Sequence, residues 1–425
     1  MTRFRNFVIF RLICLPLFFG SLATVSAAEP LEIAGTIFGT SYSVKLNDSS
    51  VDQGVLQAAI KSRLNQIDER MSTWRDDSVV TRFNRSTSTD WFTVDTETAA
   101  LVERAQQISR ETDGMFDITV GPAVGLWNFG AGGRGEFVVP SDEQISETLS
   151  IVGYERLEVR TEPPAIRKSV PELQIDLSAI AKGYAVDAIA ELLMEQSLEN
   201  FLVEIGGEVR AQGSKQDGSP WRIGLESPKR NAREVDSVVP LKDIALATSG
   251  DYRNFFEHDG QLYSHTIDPR TARPVTHGLA AVSVTAEDCA SADAFATAIL
   301  AMGPEVGADW AKQNQISATL FVRSSNDIER IVTSGFPELE EIAPASEQAN
   351  GGFVQLFMAT AFVFGIAVLA MSVGTIVANR RLQGSCGGMA GLKDSHGKTV
   401  CEMCTRPSPE CAGNPDADVA ADSAT

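Results

Sequence analysis

Hydrophobic side chains recur along residues 31 to 345 with two different spacings. A spacing of two, rich in β-branched and aromatic residues, predicts strands in TIFGTSYSVKL, FLVEIGGEVRA, WRIGLES, AAVSVTA and ISATLFV. A spacing of about 3.6 residues predicts helices in VLQAAIKSRLNQIDERM, TAALVERAQQISRET, KGYAVDAIAELLMEQ and SADAFATAILAMG. Because the two kinds of segment are interspersed, we predict an α+β fold, a single large mixed α/β domain over residues 31–345.

Two long apolar stretches lie outside that region. The first follows Arg3, Arg5 and Arg11, runs over residues 12–23 and ends in small residues near Ala28. This order predicts a secretory signal peptide over residues 1–28. An uncleaved membrane anchor is the alternative, although the run is shorter than the ~20 residues that a span needs. Both interpretations export the chain.

The second apolar stretch, residues 352–378, carries no charge and is long enough to cross a hydrocarbon core of ~30 Å. It predicts a transmembrane helix, with a buried core helix as the alternative. Arg380 and Arg381 follow it directly, so the positive-inside rule puts residues 379–425 in the cytoplasm. We therefore expect an inner-membrane protein with a periplasmic catalytic domain, joined to its span by a linker at 346–351.

Charge and cysteine content restrict the classes of molecule that the chain is expected to bind. The formal charge of -20 leaves no basic field for nucleic-acid phosphates, so nucleic acid is not expected as a partner. In the exported part Cys289 is alone and has no disulfide partner. The remaining cysteines after the span lie in a reducing compartment, where metal binding is more common than disulfides. They are Cys386, Cys401, Cys404 and Cys411.

A candidate metal site lies at the start of the helix SADAFATAILAMG. Asp293 and Thr297 are four residues apart and so share one face of that helix. A carboxylate and a hydroxyl are hard oxygen ligands, which suit Mg²⁺ in a site completed by substrate phosphates. The alternative is that Asp293 only complements the helix dipole.

A candidate phosphate site lies in QIDLSAIAKGYAVD. We expect a strand ending at Asp176 and Leu177, a turn over residues 178–180, and a helix from Ala181. A helix N-terminus favours anions, and Lys182 is placed to meet a phosphate, with Gly183 allowing close backbone approach. A solvated surface lysine is the alternative.

Two further segments carry candidate chemistry. Gly206 and Gly207 interrupt a strand pattern next to Glu204, which indicates a bulge, a close approach to a ligand or a hairpin turn. Residues 248–250, with Ser249 at their centre, are expected to form a polar loop. His265 in YSHTID is a candidate general base, because an ordinary histidine pKa near ~6.5 allows proton uptake at neutral pH. A structural role for this histidine is the alternative.

Seven ordered motifs together resemble the ApbE family of FAD:protein FMN transferases over nearly all of residues 35 to 335. They are MSTWRDDSVVTRFN, TDGMFDITVGPAVGLWNFG, DLSAIAKGYAVD, VEIGGEVRAQG, TSGDYR, YSHTIDPRT and CASADAFATA. The resemblance implies a periplasmic enzyme that cuts FAD and attaches FMN, through a phosphoester, to Thr or Ser in a Ser/Gly/Ala/Thr-rich sequence of an acceptor protein.

The resemblance also implies roles for residues. It places Mg²⁺ on the backbone carbonyl of Ala179 and on Asp293 and Thr297, and makes His265 the base. The predicted FAD contacts are Met71, Trp74, Phe116 and Asp117 near the adenosine end, together with Asp176, Lys182, Glu204 and Ser249. Trp74 stands where tyrosine is common, which preserves stacking and removes a phenolic hydrogen bond. Ala272 stands where glycine usually follows PRT, a change that could shift the turn.

The C-terminal segment VLAMSVGTIVANRRLQGSCGGMAGL and the cysteines after it resemble NqrM, a small membrane protein that matures the sodium-pumping NADH:quinone reductase. The resemblance implies that the four tail cysteines bind a metal, iron or zinc, and that subunits of this reductase are the acceptor. The tail cysteines are spaced more loosely than the family pattern.

Two other functions are compatible with these residues. With water as the nucleophile, the same site would be a Mg²⁺-dependent FAD pyrophosphatase. Without chemistry, the chain would be a periplasmic flavin-binding protein with a metallochaperone tail.

Overall fold

The structure, a computed structural model, describes residues 31–47, 51–131, 138–229, 234–252, 255–324 and 327–341, and a few helical residues between 357 and 364. By its internal contacts the chain divides into two units, residues 1–342 and 343–425. All elements described below belong to the first unit.

The helices and strands alternate along the first unit, as the sequence pattern predicts. The helices are α1 (Gln53–Met71), α2 (Val79–Arg85), α3 (Thr96–Glu111), α4 (Gly121–Leu126), α5 (Asp142–Leu149), α6 (Ala181–Glu195), α7 (Cys289–Met302) and α8 (Pro304–Gln313). The strands are β1 (Leu31–Ile37), β2 (Thr40–Leu46), β3 (Phe92–Thr93), β4 (Leu157–Thr161), β5 (Pro164–Lys168), β6 (Phe201–Ile205), β7 (Glu208–Gln212), β8 (Trp221–Glu226), β9 (Val235–Leu241), β10 (Ile244–Gly250), β11 (Phe255–His258), β12 (Gln261–Ser264), β13 (Ile267–Asp268), β14 (Arg273–Pro274), β15 (Leu279–Ala286), β16 (Ser317–Arg323), β17 (Ile328–Val332) and β18 (Glu340–Glu341).

A central antiparallel sheet organises the described residues. Its strand order is β1-β2-β6-β7-β10-β15-β16-β17, and every neighbouring pair runs antiparallel. Smaller sheets, β18-β9-β8 and β3-β5-β4, and the hairpins β11-β12 and β13-β14 complete the strand pairing. Hairpin connections suit this arrangement because antiparallel neighbours need only short turns.

The period-two pattern divides the central sheet into two faces. Phe201 and Val203 of β6 pack in the main core with α1, α3, α6 and α7, while Leu202 between them packs with β8 and β9. In β10, Ala245 and Ala247 face the helices and Leu246 faces the small sheet. Both faces are therefore covered, and alternate side chains of one strand enter different cores.

Helix α7 lies in the centre of the main core. Nearly all of its side chains are buried, including those of Asp293 and Ser291. Asp288 caps its N-terminus by accepting a hydrogen bond from the backbone N–H of Ser291 at 2.7 Å. By contrast, α6 begins at Ala181 without a side-chain cap. Two donors of its first turn are met elsewhere, since the N–H of Ala181 donates to the carbonyl of Leu177 at 2.8 Å and that of Gly183 donates to Oδ2 of Asp293 at 3.2 Å.

The structure confirms the four predicted helices and the predicted strands, and it corrects two local expectations. Residues 248–250 are the end of strand β10 and not a loop. The segment before the turn at 178–180 belongs to no strand among the described residues, so the strand expected at Asp176 is wrong. The first error arose because Thr, Ser and Gly together suggest a turn, whereas here pairing with β15 decides.

The predicted membrane segments lie almost wholly outside the described residues. The signal peptide (1–28), the linker (346–351) and the tail with its four cysteines are not described, and of the span (352–378) only some residues between 357 and 364 are. Among the residues that are described, no helix combines the length and apolar character that a bilayer crossing requires.

Candidate functional site

One cavity of about 720 Å³ collects most of the residues that the sequence singles out. A cavity of this size is in the range of sites for large organic ligands. The predicted site residues that line it are Trp74, Phe116, Asp117, Asp176, Ala179, Lys182, Glu204, Ser249, His265, Asp293 and Thr297. They come from separate elements, and the antiparallel sheet with α6 and α7 brings them to one place.

Three charged side chains, those of Lys182, Glu208 and Asp293, meet at one part of the cavity wall. The ammonium of Lys182 donates a hydrogen bond to Oε1 of Glu208 at 2.6 Å and lies 3.6 Å from Oδ2 of Asp293. The carboxylate side chains are each 4% exposed, and Lys182 retains 31% exposure. The lysine is therefore not the solvated surface residue considered as an alternative.

Burial and mutual charge set the protonation of this group. Burial raises the pKa of Glu208 to about 7, with the charge of Asp293 adding to the rise and Lys182 opposing it. Burial also raises the pKa of Asp293, against the opposing effect of Lys182. Burial lowers the pKa of Lys182, but the charges of Asp293 and Glu208 outweigh it and keep this pKa above its usual value.

The first turn of α6 donates a backbone hydrogen bond to Asp293. The backbone N–H of Gly183 donates to Oδ2 of Asp293 at 3.2 Å and not to the carbonyl of Ala179, four residues before it. Among the described residues, no backbone N–H donates to that carbonyl. The Ala179 carbonyl lines the cavity and is available to a ligand.

The remaining member of the predicted metal set is Thr297. Its hydroxyl lies 3.0 Å from that of Ser249, at the end of β10. Ala179, Asp293 and Thr297 thus provide a carbonyl, a carboxylate and a hydroxyl in one cavity, and this oxygen set fits Mg²⁺. The described residues contain no group of three or more His, Cys, Asp or Glu side chains that could hold a metal. The oxygen set therefore fits a cation that shares its coordination with substrate phosphates.

The glycine pair forms the turn of the β6-β7 hairpin. Gly206 and Gly207 have φ of 63° and 108°, in the region that favours glycine. Both line the cavity, and the backbone N–H of Gly207 donates to Oε1 of Glu204 at 3.0 Å. The hairpin turn and the close approach to the cavity are therefore both present at this pair.

The residues expected near the adenosine end differ from one another in burial and in whether they line the cavity. Trp74 is 64% exposed at the cavity wall, where its indole is available for stacking. Asp117 is buried, and its carboxylate accepts hydrogen bonds from Thr119 and from the backbone N–H of Tyr154 at 2.7 Å each. Its carboxylate therefore holds the loop that carries Phe116. Met71 is 3% exposed in the main core and does not line the cavity, so a direct contact with FAD is not supported for it.

Asp176 is held at the cavity by a local turn. Its Oδ1 accepts hydrogen bonds from the backbone N–H and the hydroxyl of Ser178. This turn leads directly to Ala179 and to the start of α6. Asp176 thereby fixes the backbone that presents the Ala179 carbonyl.

His265 lies just after strand β12, on the cavity wall. Its ring packs edge-on against Phe129, with ring centroids 6.3 Å apart. In the neighbouring turn Ala272, at the position where the family resemblance implies glycine, adopts the left-handed φ of 52°. The carbonyl of Ala272 accepts a hydrogen bond from Nε1 of Trp127 at 2.7 Å, which secures this conformation.

Glu208 is a site residue that was not predicted from the sequence. Its position directly after the two glycines of the hairpin turn was visible, but the same position often holds a solvated residue at a strand start. What distinguishes it is the pairing of β7 with β10 and β6, which turns the side chain into the cavity wall beside Lys182. That pairing could not be read from the local pattern.

Comparison with known proteins places these features in a family. Residues 38–320 match the model of the ApbE family. The FAD:protein FMN transferase of Vibrio cholerae is 42% identical over 311 residues, which is 73% of this chain and 92% of that protein. The structure of the flavin transferase ApbE from Vibrio cholerae matches with a TM-score of 0.67 and 40% identity, over 72% of this chain and 98% of that one. The apo structure of the flavinyl transferase ApbE from Pseudomonas stutzeri matches with a TM-score of 0.67 and 38% identity, over 72% and 95%.

Proposed function

Because this chain belongs to the ApbE family and is a transferase, we propose that it transfers the FMN half of FAD to a Thr or Ser hydroxyl of an acceptor protein, with Mg²⁺. The observation that carries the proposal is the meeting of a hard-oxygen set, a half-buried lysine and a histidine in one cavity of about 720 Å³. Each part has a separate task in phosphoryl transfer.

The metal set would be the Ala179 carbonyl, the Asp293 carboxylate and the Thr297 hydroxyl. These three residues would hold Mg²⁺, which would supply neutralisation of the charge on the pyrophosphate and on the leaving phosphate. Lys182 binds a phosphate oxygen through its exposed face, and its place at the N-terminus of α6 favours the same anion. Trp74 stacks on a ring of the dinucleotide at the cavity wall.

His265 accepts the proton of the acceptor hydroxyl. The hydroxyl oxygen then forms a bond to the FMN phosphorus, and the bond from that phosphorus to the oxygen bridging to AMP breaks. The products are a phosphoester on the acceptor and AMP, and the proton taken by His265 can pass to the leaving phosphate or to solvent. No oxidant or reductant is needed.

A transfer assay tests the proposal. The full chain is incubated with FAD, Mg²⁺ and a purified acceptor that carries a Ser/Gly/Ala/Thr-rich sequence, and products are separated on a denaturing gel. Flavin fluorescence that migrates with the acceptor, with a mass increase equal to FMN less one water, is the expected result. Free FMN and AMP without labelled acceptor would identify a pyrophosphatase instead. Unchanged FAD would favour a flavin store, which should keep its FAD after Asp293→Asn.

The location and the acceptor belong to the same proposal. The apolar segments at 1–28 and 352–378 support a catalytic domain in the periplasm, anchored in the inner membrane. The NqrM-like tail supports subunits of the sodium-translocating NADH:quinone reductase as acceptor, with an iron or zinc site at the four tail cysteines. Deletion of residues 346–425 should lower the iron content of that reductase. Unchanged iron and assembly would contradict the role of the tail.

A further inference from the structure

Glu208 forms a close pair with Lys182, and this pair has few other contacts. Oε1 of Glu208 accepts the hydrogen bond from Lys182 at 2.6 Å, while Oε2 is buried and has no hydrogen-bond partner among the described residues. A buried carboxylate with a single partner depends strongly on that partner, because desolvation is otherwise uncompensated. The Glu208 carboxylate therefore strongly favours keeping its hydrogen bond to Lys182.

Lys182 also lies close to Asp293, the carboxylate of the proposed metal site. The ammonium is 3.6 Å from Oδ2 of Asp293, beyond hydrogen-bond length, whereas it is 2.6 Å from Glu208. The same Oδ2 already accepts the N–H of Gly183 at 3.2 Å. Without Glu208, the nearest carboxylate for the ammonium is Asp293.

A lysine bound directly to Asp293 would oppose a metal ion in two ways. It would occupy an oxygen that the cation needs, and its positive charge would repel the cation at short range. We propose that Glu208 is a positioning residue for the metal site, which holds Lys182 away from Asp293 and thereby leaves Asp293 available to Mg²⁺. This inference rests on the proposed metal set and assigns no direct metal bond to Glu208.

Two simpler roles of Glu208 are possible: a charge effect at a distance and direct metal ligation. Only the positioning role depends on the presence of Lys182. If Glu208 acted only through its charge at a distance, or were itself a ligand, its removal would weaken Mg²⁺ binding whether or not Lys182 is present. If it acts by restraining Lys182, its removal matters only while the ammonium is there. A double-mutant cycle measures this difference.

The test is calorimetric titration of Mg²⁺ alone into the full chain and into Glu208→Gln, Lys182→Met and the double variant. We expect Glu208→Gln to weaken Mg²⁺ binding about tenfold in the wild-type background and less than about twofold in the Lys182→Met background. Equal losses in both backgrounds, with normal Mg²⁺ binding by the wild type, would overturn the inference alone. Absence of Mg²⁺ binding by the wild type would overturn both the proposed metal site and the inference about Glu208.

A structural measurement keeps the test decisive if Lys182→Met, which leaves Glu208 without its partner, does not fold. A crystal structure of metal-free Glu208→Gln should show the Lys182 ammonium within hydrogen-bond distance of Asp293. An ammonium that stays at the present 3.6 Å or moves away overturns the inference. Glu226→Gln is the matched control, because Glu226 is another carboxylate of the cavity lining, whereas the Lys182 ammonium lies against Glu208 and Asp293 among the described residues. It should leave Mg²⁺ affinity nearly unchanged.

Discussion

Gly183 of α6 lies directly against the backbone of Cys289 at the start of α7, and a Cβ at Gly183 would be 2.2 Å from the Cys289 carbonyl oxygen. The two helices therefore meet without a side chain between them. The same contact lets the Gly183 N–H reach Asp293 at 3.2 Å. The close approach that the sequence suggested for this glycine is thus to α7 and not to the ligand.

Gly183→Ala should destabilise the domain and displace Asp293 from α6. Neither backbone can give way without separating α6 from α7, and overpacking of this kind costs about 1–3 kcal/mol or more. Chemical denaturation measures the loss. Gly125→Ala is the control, because an added Cβ there meets nothing within 4 Å. Equal stability of the two variants would contradict the packing argument.

His265→Ala should abolish transfer of FMN while FAD still binds. Loss of a general base costs about 10²–10⁴-fold in rate, whereas binding relies on the rest of the cavity. Single-turnover labelling of an acceptor gives the rate, and fluorescence titration gives the affinity for FAD. His258→Ala is the control, because His258 lies on β11, outside the cavity lining, with 43% of its side chain exposed. Unimpaired transfer by His265→Ala would exclude the proposed role.

The sequence allowed prediction of those parts of the site that local spacing determines. Asp293 and Thr297 share a helix face, and Lys182 lies at a helix start, so these three residues of the cavity could be named from spacing. The Ala179 carbonyl is named as a ligand by the family resemblance. Glu208 and the contact between Gly183 and Cys289 could not, because each depends on how separate strands and helices pack. Met71 shows the reverse case. Its motif resembles that of the family, which predicted a contact with FAD, but its side chain lies in the main core.

Thr297→Val should weaken Mg²⁺ binding at least about tenfold, because even outer contacts of metal ligands are worth about 10–100-fold in affinity. Valine keeps the shape and removes the hydroxyl that lies 3.0 Å from Ser249. Thr297→Ser is the matched control, because it retains the hydroxyl and should bind Mg²⁺ nearly as the wild type does. Calorimetric titration compares them. Similar affinities for valine and serine would remove Thr297 from the metal set.

Cys289 should resist alkylation in the folded protein. Its side chain is fully buried, its thiol is 3.5 Å from the carbonyl of Val209, and burial raises the pKa of the thiol well above its usual value. The reactive thiolate is therefore scarce and shielded. Iodoacetamide labelling followed by mass spectrometry of the Cys289 peptide should show modification only in denaturant. Rapid labelling under native conditions would show that this part of α7 opens.

His277 should make the domain less stable as the solution becomes acidic. Burial lowers the pKa of His277, and the Ala301 carbonyl and the charge of Asp251 oppose that shift without reversing it. The unfolded chain, with an ordinary histidine pKa near ~6.5, then binds the proton more readily than the folded one does. The contribution of His277 to stability is complete above that value and is lost as the pH falls from it towards the lower pKa of the folded state.

His277→Gln should therefore flatten the dependence of stability on pH below about pH 6.5, relative to the wild type. Denaturant unfolding across this range gives the free energy of unfolding for both proteins, and their difference isolates His277 from the carboxylates that also titrate. The wild type should lose more stability than the variant on acidification. If the two curves run parallel, His277 keeps its ordinary pKa in the folded protein. If the wild type loses less, the Ala301 carbonyl and Asp251 outweigh burial.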